Sequence, residues 1–199
     1  MATHDNTVHP TLIGAAWPGA AGSWLRMAIL AVAGTVLLTV SAKIQVPFYP
    51  VPMTMQTFAV LVIGMAYGWK LGGATLLLYL AEGAVGLPVF AGTPEKGIGL
   101  AYMAGPTGGY LLGFVLAAGI AGWLGEKGWD RSIPMTLAAM IIGTVIIFVP
   151  GYAWLATLIG AEKAWAFGVL PFLWGEVFKI ALAAAVLPGA WKLIAKFQV

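Results

Sequence analysis

Six long apolar runs constrain this chain more than any other feature of its sequence. They lie near residues 24–42, 54–69, 71–87, 107–125, 133–158 and 171–195. At about 1.5 Å per residue, each crosses or nearly crosses a hydrocarbon layer of about 30 Å. The 199 residues are 61% hydrophobic and only 9% charged, whereas a soluble domain carries roughly 25% charged residues. The expected fold is therefore an all-α integral membrane protein, a compact bundle of six transmembrane helices with external lid loops. Residues 23–199 read as its single membrane domain. Residues 1–22 hold no Lys or Arg, so they read as a mobile cytoplasmic tail rather than a secretory leader, which needs a basic start.

Positive charge sets the expected orientation. Arg26, Lys70, Lys127, Arg131, Lys192 and Lys196 fall on one side of the spans, and Lys43, Lys96 and Lys163 on the other. The positive-inside rule then puts both termini in the cytoplasm and the connections after spans one, three and five outside. The net charge of +3 fits basic cytoplasmic loops, and no nucleic-acid partner is expected. Cysteine is absent, which excludes disulfides and thiolate chemistry. His4 and His9 lie in the tail with nothing nearby to complete a metal-ligand set. No cofactor is implied, and no internal repeat is evident.

The two long external connections differ from the short cytoplasmic turns. "AKIQVPFYPVPMTMQ" (42–56) carries prolines at 47, 50 and 52, which favour an extended, pre-ordered segment. Thr54 is placed to cap the helix that follows. "GLPVFAGTPEKGIGLAYMAGPTGGY" (86–110) is too long for a simple turn, and its aromatics argue for order. Both loops can fold over the outer mouth of the bundle.

Inside the last apolar run stand Glu176 and Lys179, three residues apart on one helix face. A charge within a bilayer costs about 2.5–3.5 kcal/mol on insertion scales. The pair is either a self-neutralising couple or a polar recognition site for a small ligand, and intramembrane ionisable residues favour the second. Lys179 would offer a cation, and Glu176 would accept N–H bonds. Glu82 is the other acid within a span; it either snorkels to the interface or joins the site. The stripe Gly109, Gly113, Ala117 and the stripe Gly64, Gly68, Gly72 suit close helix packing, as do Ala28, Ala31, Thr35 and Thr39 on span one, which could alternatively meet a partner helix. "GPTGGY" (105–110) lacks the phosphate-cradling pattern, so the chain has no motif for hydrolysing ATP. No catalytic constellation appears, which argues against an enzyme.

"VPFYPVPMTMQT" (46–57), "GLPVF" (86–90), "GPTGGYLLGF" (105–114) and "GEVFK" (175–179) together resemble the BioY family, the biotin-specific S-components of energy-coupling factor transporters. The likeness runs from about Arg26 to Pro188. It implies a high-affinity biotin-binding protein in the bacterial plasma membrane, working either with a transmembrane coupling protein and two ATPase subunits or as a solitary transporter. The family's last helix typically carries Asp-x-x-Lys at the ligand; here Glu176 replaces the Asp, one methylene longer, so Lys179 weighs more than Glu176. The family's lid corresponds to residues 47–54 and 88–102. Phe48, Tyr49, Phe90 and Tyr102 would cover the ligand's ring system, with Thr54 and Gln56 beside them. Which polar end of biotin meets Lys179 stays open. The family's Ala-x-x-x-Ala docking motif has no clean copy in span one. The alternatives are an S-component for another vitamin, such as thiamine or riboflavin, a membrane enzyme acting on a lipid or prenyl substrate, and an assembly scaffold.

Overall fold

The computed structural model describes residues 11–18 and 23–197. The elements in chain order are α1 (Leu12–Ala16), α2 (Trp24–Lys43), β1 (Gln45–Val46), β2 (Met53–Thr54), α3 (Gln56–Ala84), α4 (Gly99–Met103), α5 (Gly108–Glu126), α6 (Ile133–Ile159), α7 (Ala161–Gly168), a 3-10 turn (Leu170–Phe172) and α8 (Leu173–Phe197). The helices α2, α3, α5 and α6, and the segment carrying α8, are long and apolar enough to cross a membrane.

α3 is two passes, not one. Gly68 breaks its helical backbone at φ 82°, ψ 172°. The amide of Gln56 lies 2.7 Å from the hydroxyl of Tyr79, whereas an unbroken helix would hold these residues about 34 Å apart. A methyl on Gly72 would likewise sit 3.1 Å from the Cα of Gly64. The chain therefore folds back at Gly68 into antiparallel arms, 56–67 and 69–84, roughly 18 Å and 24 Å long. With α2, α5, α6 and α8 these make six passes, at bounds close to those expected from the apolar runs.

Glycines let the passes approach to backbone contact. Gly113 packs on the backbone of Ile147 in α6, Gly125 on Met65, and Gly64 on Ala118. In α2, Gly34 and Thr35 face inward against the second arm, and Ala28 is exposed. The faces turned away from the bundle are apolar at four-residue spacing. Val32, Val36 and Val40 on α2, and Trp174, Phe178 and Leu182 on α8, are all exposed. Such stripes belong against hydrocarbon, where hydrophobic exposure has no cost.

The two ends of the bundle differ. At the turn end, Glu126 accepts from the backbone N–H of Trp69 at 3.2 Å, just past the Gly68 break. Trp191 donates to the buried Asp130 at 2.7 Å, and burial raises the pKa of that carboxyl against the lowering effect of the bond. Four cations lie over indole rings here: Arg26 on Trp17, Lys70 on Trp69, Lys127 on Trp123 and Arg131 on Trp191. This is the arrangement of an aromatic and basic interface belt. α1 packs against α3 and α8, with Ala15 buried. The rest of the expected tail, residues 1–10 and 19–22 with His4 and His9, lies outside the described residues.

The opposite, lid end carries the two long connections. The first is a short antiparallel ribbon, Gln45 opposite Thr54 and Val46 opposite Met53. The second runs from 85 to 98 and into α4. α7, beyond span five, was not expected from the sequence.

Backbone at φ 82°, ψ 172° is open essentially to glycine alone. Gly68→Ala would also set its methyl 2.5 Å from the Glu126 carboxylate and 2.9 Å from Thr11. We expect it to cost about 1–3 kcal/mol, read as a lowered melting temperature of purified protein in detergent. Gly119→Ala, with open space around it, is expected to leave the melting temperature unchanged or slightly raised.

Candidate functional site

Glu176 stands in the first turn of α8 and Lys179 one turn later. The N-terminal end of a helix favours negative charge, and the i, i+3 spacing lets the two side chains meet. They form a salt bridge at 2.7 Å, with Glu176 4% and Lys179 7% exposed. A third group closes the cluster. Thr57, in the first turn of the first arm of α3, donates its hydroxyl to Glu176 Oε1 at 2.8 Å and accepts from Lys179 Nζ at 2.9 Å. An ammonium has three protons, so Lys179 keeps one after these two bonds. Both bonds to Glu176 fall on Oε1. Oε2 bonds to no described residue, yet it is not among the buried polar atoms left without a partner. Its residual exposure is toward the cavity that Glu176 borders.

That cavity lies beneath both loops of the lid end. Val51, Pro52 and Thr54 come from the first loop, and Phe90, Ala91 and Tyr102 from the second. Tyr110, Leu111 and Phe114 of α5 also line it, with Phe148 beside Tyr110 and Phe172 beside Phe148. The cavity volume is about 40 Å³, room for a few waters at most.

The aromatic walls hold one another. Phe90 stacks on Tyr102 with centroids 5.0 Å apart and meets Tyr79 edge-on at 5.4 Å. Phe90 lies directly against Gly83 of the second arm, where any side chain would overlap its ring. Tyr102 donates to the Ala91 carbonyl at 2.7 Å, and burial raises its pKa, keeping the phenol a donor. On the other wall, Phe148 meets Tyr110 and Phe172 edge-on. Tyr110 is tied to the Gly168 carbonyl at 2.7 Å. From the end of α2, Lys43 reaches across to the second loop and donates to the carbonyls of Phe90 and Thr93, both at 3.0 Å, and to the Thr93 hydroxyl at 3.1 Å.

The sequence-derived candidates divide accordingly. Glu176, Lys179, Thr54, Gln56, Phe90 and Tyr102 all border the cavity. Thr54 accepts from the Gln56 backbone N–H at 3.2 Å, but it stands one residue before the N-cap of α3, which is Met55. Phe48 does not border the cavity; it packs behind it on Phe172, with centroids 6.4 Å apart. Tyr49 is 86% exposed at the tip of the first loop, beyond the paired residues of the ribbon. Glu82 also lies outside the cavity. It faces α2, where it accepts from Thr35 at 3.0 Å. Thr57, Tyr110, Phe148 and Phe172 were not singled out from sequence, although Thr57 and Tyr110 sit inside the motifs quoted above.

Comparison with known proteins places this arrangement. The BioY family model matches residues 11–196. The chain is 41% identical over 150 residues to the probable biotin transporter BioY of Pyrococcus horikoshii, covering 75% of this chain and 86% of that protein. It is 39% identical over 163 residues to the biotin transporter BioY of Thermotoga maritima, covering 81% and 94%. Its fold is similar to the crystal structure of the S-component for biotin from an ECF-type ABC transporter, with a TM-score of 0.72 and 22% identity over 84% of this chain and 92% of that one.

The closed cluster makes a double-substitution test informative. Removing one member of a buried ion pair strands the other charge, at about 3–5 kcal/mol, whereas removing both leaves no charge to desolvate. Glu176→Gln and Lys179→Met are each expected to lower the melting temperature of ligand-free protein, and the double variant to recover most of the loss. Equal and additive losses would mean the pair is not coupled.

Proposed function

The chain belongs to the BioY family, and we propose that it is a membrane protein that captures biotin for uptake. The observation that carries this reading is the Glu176–Lys179–Thr57 cluster, which retains one unused donor and one unused acceptor at an aromatic-walled cavity. Biotin matches it in kind. Its fused rings are largely apolar, and its cyclic urea sets a carbonyl acceptor beside N–H donors.

The pairing already neutralises Lys179. A ligand carboxylate brought against it would leave two carboxylates sharing one ammonium in a buried site, a net charge that desolvation penalises. A neutral urea edge fits instead: the spare proton of Lys179 to the urea oxygen, and Glu176 Oε2 to an adjacent N–H. The rings then lie between the Phe90–Tyr102 wall and the Phe148–Phe172 wall, and the carboxylate tail points toward the loops. Pockets for ligands of this size measure about 300 Å³ or more, against about 40 Å³ enclosed here. Entry therefore requires the two loops to move outward, and closure brings Phe90 and Tyr102 back over the rings.

The lid end faces outward in this reading. The turn end, with its cation–indole pairs, faces the cytoplasm, following the positive-inside rule. Both chain termini are then cytoplasmic. Lacking an ATP-binding motif, the chain relies on a transmembrane coupling protein and ATPase subunits where uptake is driven by ATP. It transports its ligand and does not transform it.

Titration of the purified protein with biotin is the direct test; a folded protein with no affinity for it ends the proposal. Lys179→Met is expected to weaken binding at least about 30-fold, from the roughly 2 kcal/mol or more lost when one partner of a buried charged pair is truncated. Biotin and biotinamide should weaken alike, because neither presents its tail to Lys179. Gly83→Ala, which displaces the Phe90 ring, is expected to raise the rate of biotin release while leaving the fold intact by size exclusion.

A further inference from the structure

Beside the charged cluster runs a second hydrogen-bonded chain, and its direction is fixed by its far end. The backbone carbonyl of Val89, in the second lid loop, can only accept. The Tyr79 hydroxyl, 2.9 Å away, gives it its single proton. Tyr79 must therefore meet Gln56 as an acceptor, at 2.7 Å, so the side of the Gln56 amide turned toward it is the NH2. The amide oxygen is the free end. Gln56 is 4% exposed and borders the cavity. Its oxygen bonds to no described residue and is not among the buried polar atoms without a partner, so what exposure it has is toward the cavity.

We infer that Gln56 is a specificity-determining residue whose side-chain oxygen accepts one N–H of the ligand's cyclic urea. Tyr79 acts as a positioning residue: by spending its proton on Val89, it forbids the flipped amide that would present NH2 instead. The inference rests on the biotin reading above and refines it. Glu176 Oε2 takes one ring N–H, and Gln56 takes the other. A five-membered ring with an N–H on each side of its carbonyl satisfies both acceptors. Replacing either N–H by an acceptor sets two oxygens face to face, leaves a buried acceptor unpaired and is rejected. Because Val89 belongs to the lid, the amide has this defined polarity only while the second loop is in place.

The test uses purified full-length protein and three ligands: biotin and the two cyclic carbamates in which one or the other ring N–H is replaced by oxygen. The wild type should favour biotin over each carbamate by about tenfold or more. Gln56→Met should weaken biotin by a similar factor and lose the preference against one carbamate while keeping it against the other. Tyr79→Phe, which removes only a hydroxyl, should erode that same single preference with Gln56 still present, an effect that loosened packing alone would not direct at one ligand. The inference is overturned if Gln56→Met rejects both carbamates as the wild type does, or weakens all three ligands by one common factor. A wild type that binds no biotin overturns the functional reading itself, whereas a wild type that binds biotin but ignores Gln56 overturns only this refinement.

Discussion

A cation and an anion placed three residues apart in an apolar helix must be neutralised where they stand, because a bilayer offers no water to do it. In this chain the requirement is met by a contact between helices. Thr57 lends one hydroxyl to both charges, and in doing so it fastens the first arm of α3 to the start of α8. The first arm can stand there only because the chain reverses at Gly68. The cavity then exists because those two elements converge beneath the loops, with α5 and α6 closing the far side.

Around that fastening the remaining polar groups are few, and each has a defined direction. Thr57 donates to Glu176 and accepts from Lys179, while Tyr79 donates to Val89 and accepts from Gln56. Backbone carbonyls and a carboxylate cannot reverse their roles, so the hydroxyls between them cannot either. The charged cluster and Gln56 together leave two acceptors and one donor at the cavity. Polarity imposed at the edge of the network is thus expressed at its centre, where a ligand would complete it.

The passes were legible in the sequence because their limits are marked by Pro, Gly and charged residues, and the bounds of α2, α5 and α6 fall within a residue or two of expectation. The charged pair was legible because it is costly in lipid. The wall of Tyr110, Phe148 and Phe172 was not. A helix with hydrocarbon on one face and a packed core on the other shows almost no amphipathic signal, so Phe148, on the cavity, and Phe178, facing outward, look alike in sequence. Thr57 was hidden for a different reason, since its role depends on a fold-back whose partner lies 119 positions away. In the first loop, Phe48 and Tyr49 are neighbours of similar chemistry. Phe48 reaches the Phe172 ring while Tyr49 stays outside, a difference that the local sequence does not mark.

Lys43 gives the lid an anchorage that the rest of the cavity does not share. Its ammonium holds the second loop through Phe90 and Thr93, yet its backbone ends the helix with one of the most lipid-bathed flanks in the bundle. Leaning α2 sideways would pull on all three bonds at once and leave the Glu176–Lys179–Thr57 fastening, on other helices, unstrained. The helix is in that sense a lever with its handle in the bilayer, and the latch it works sits over the cargo.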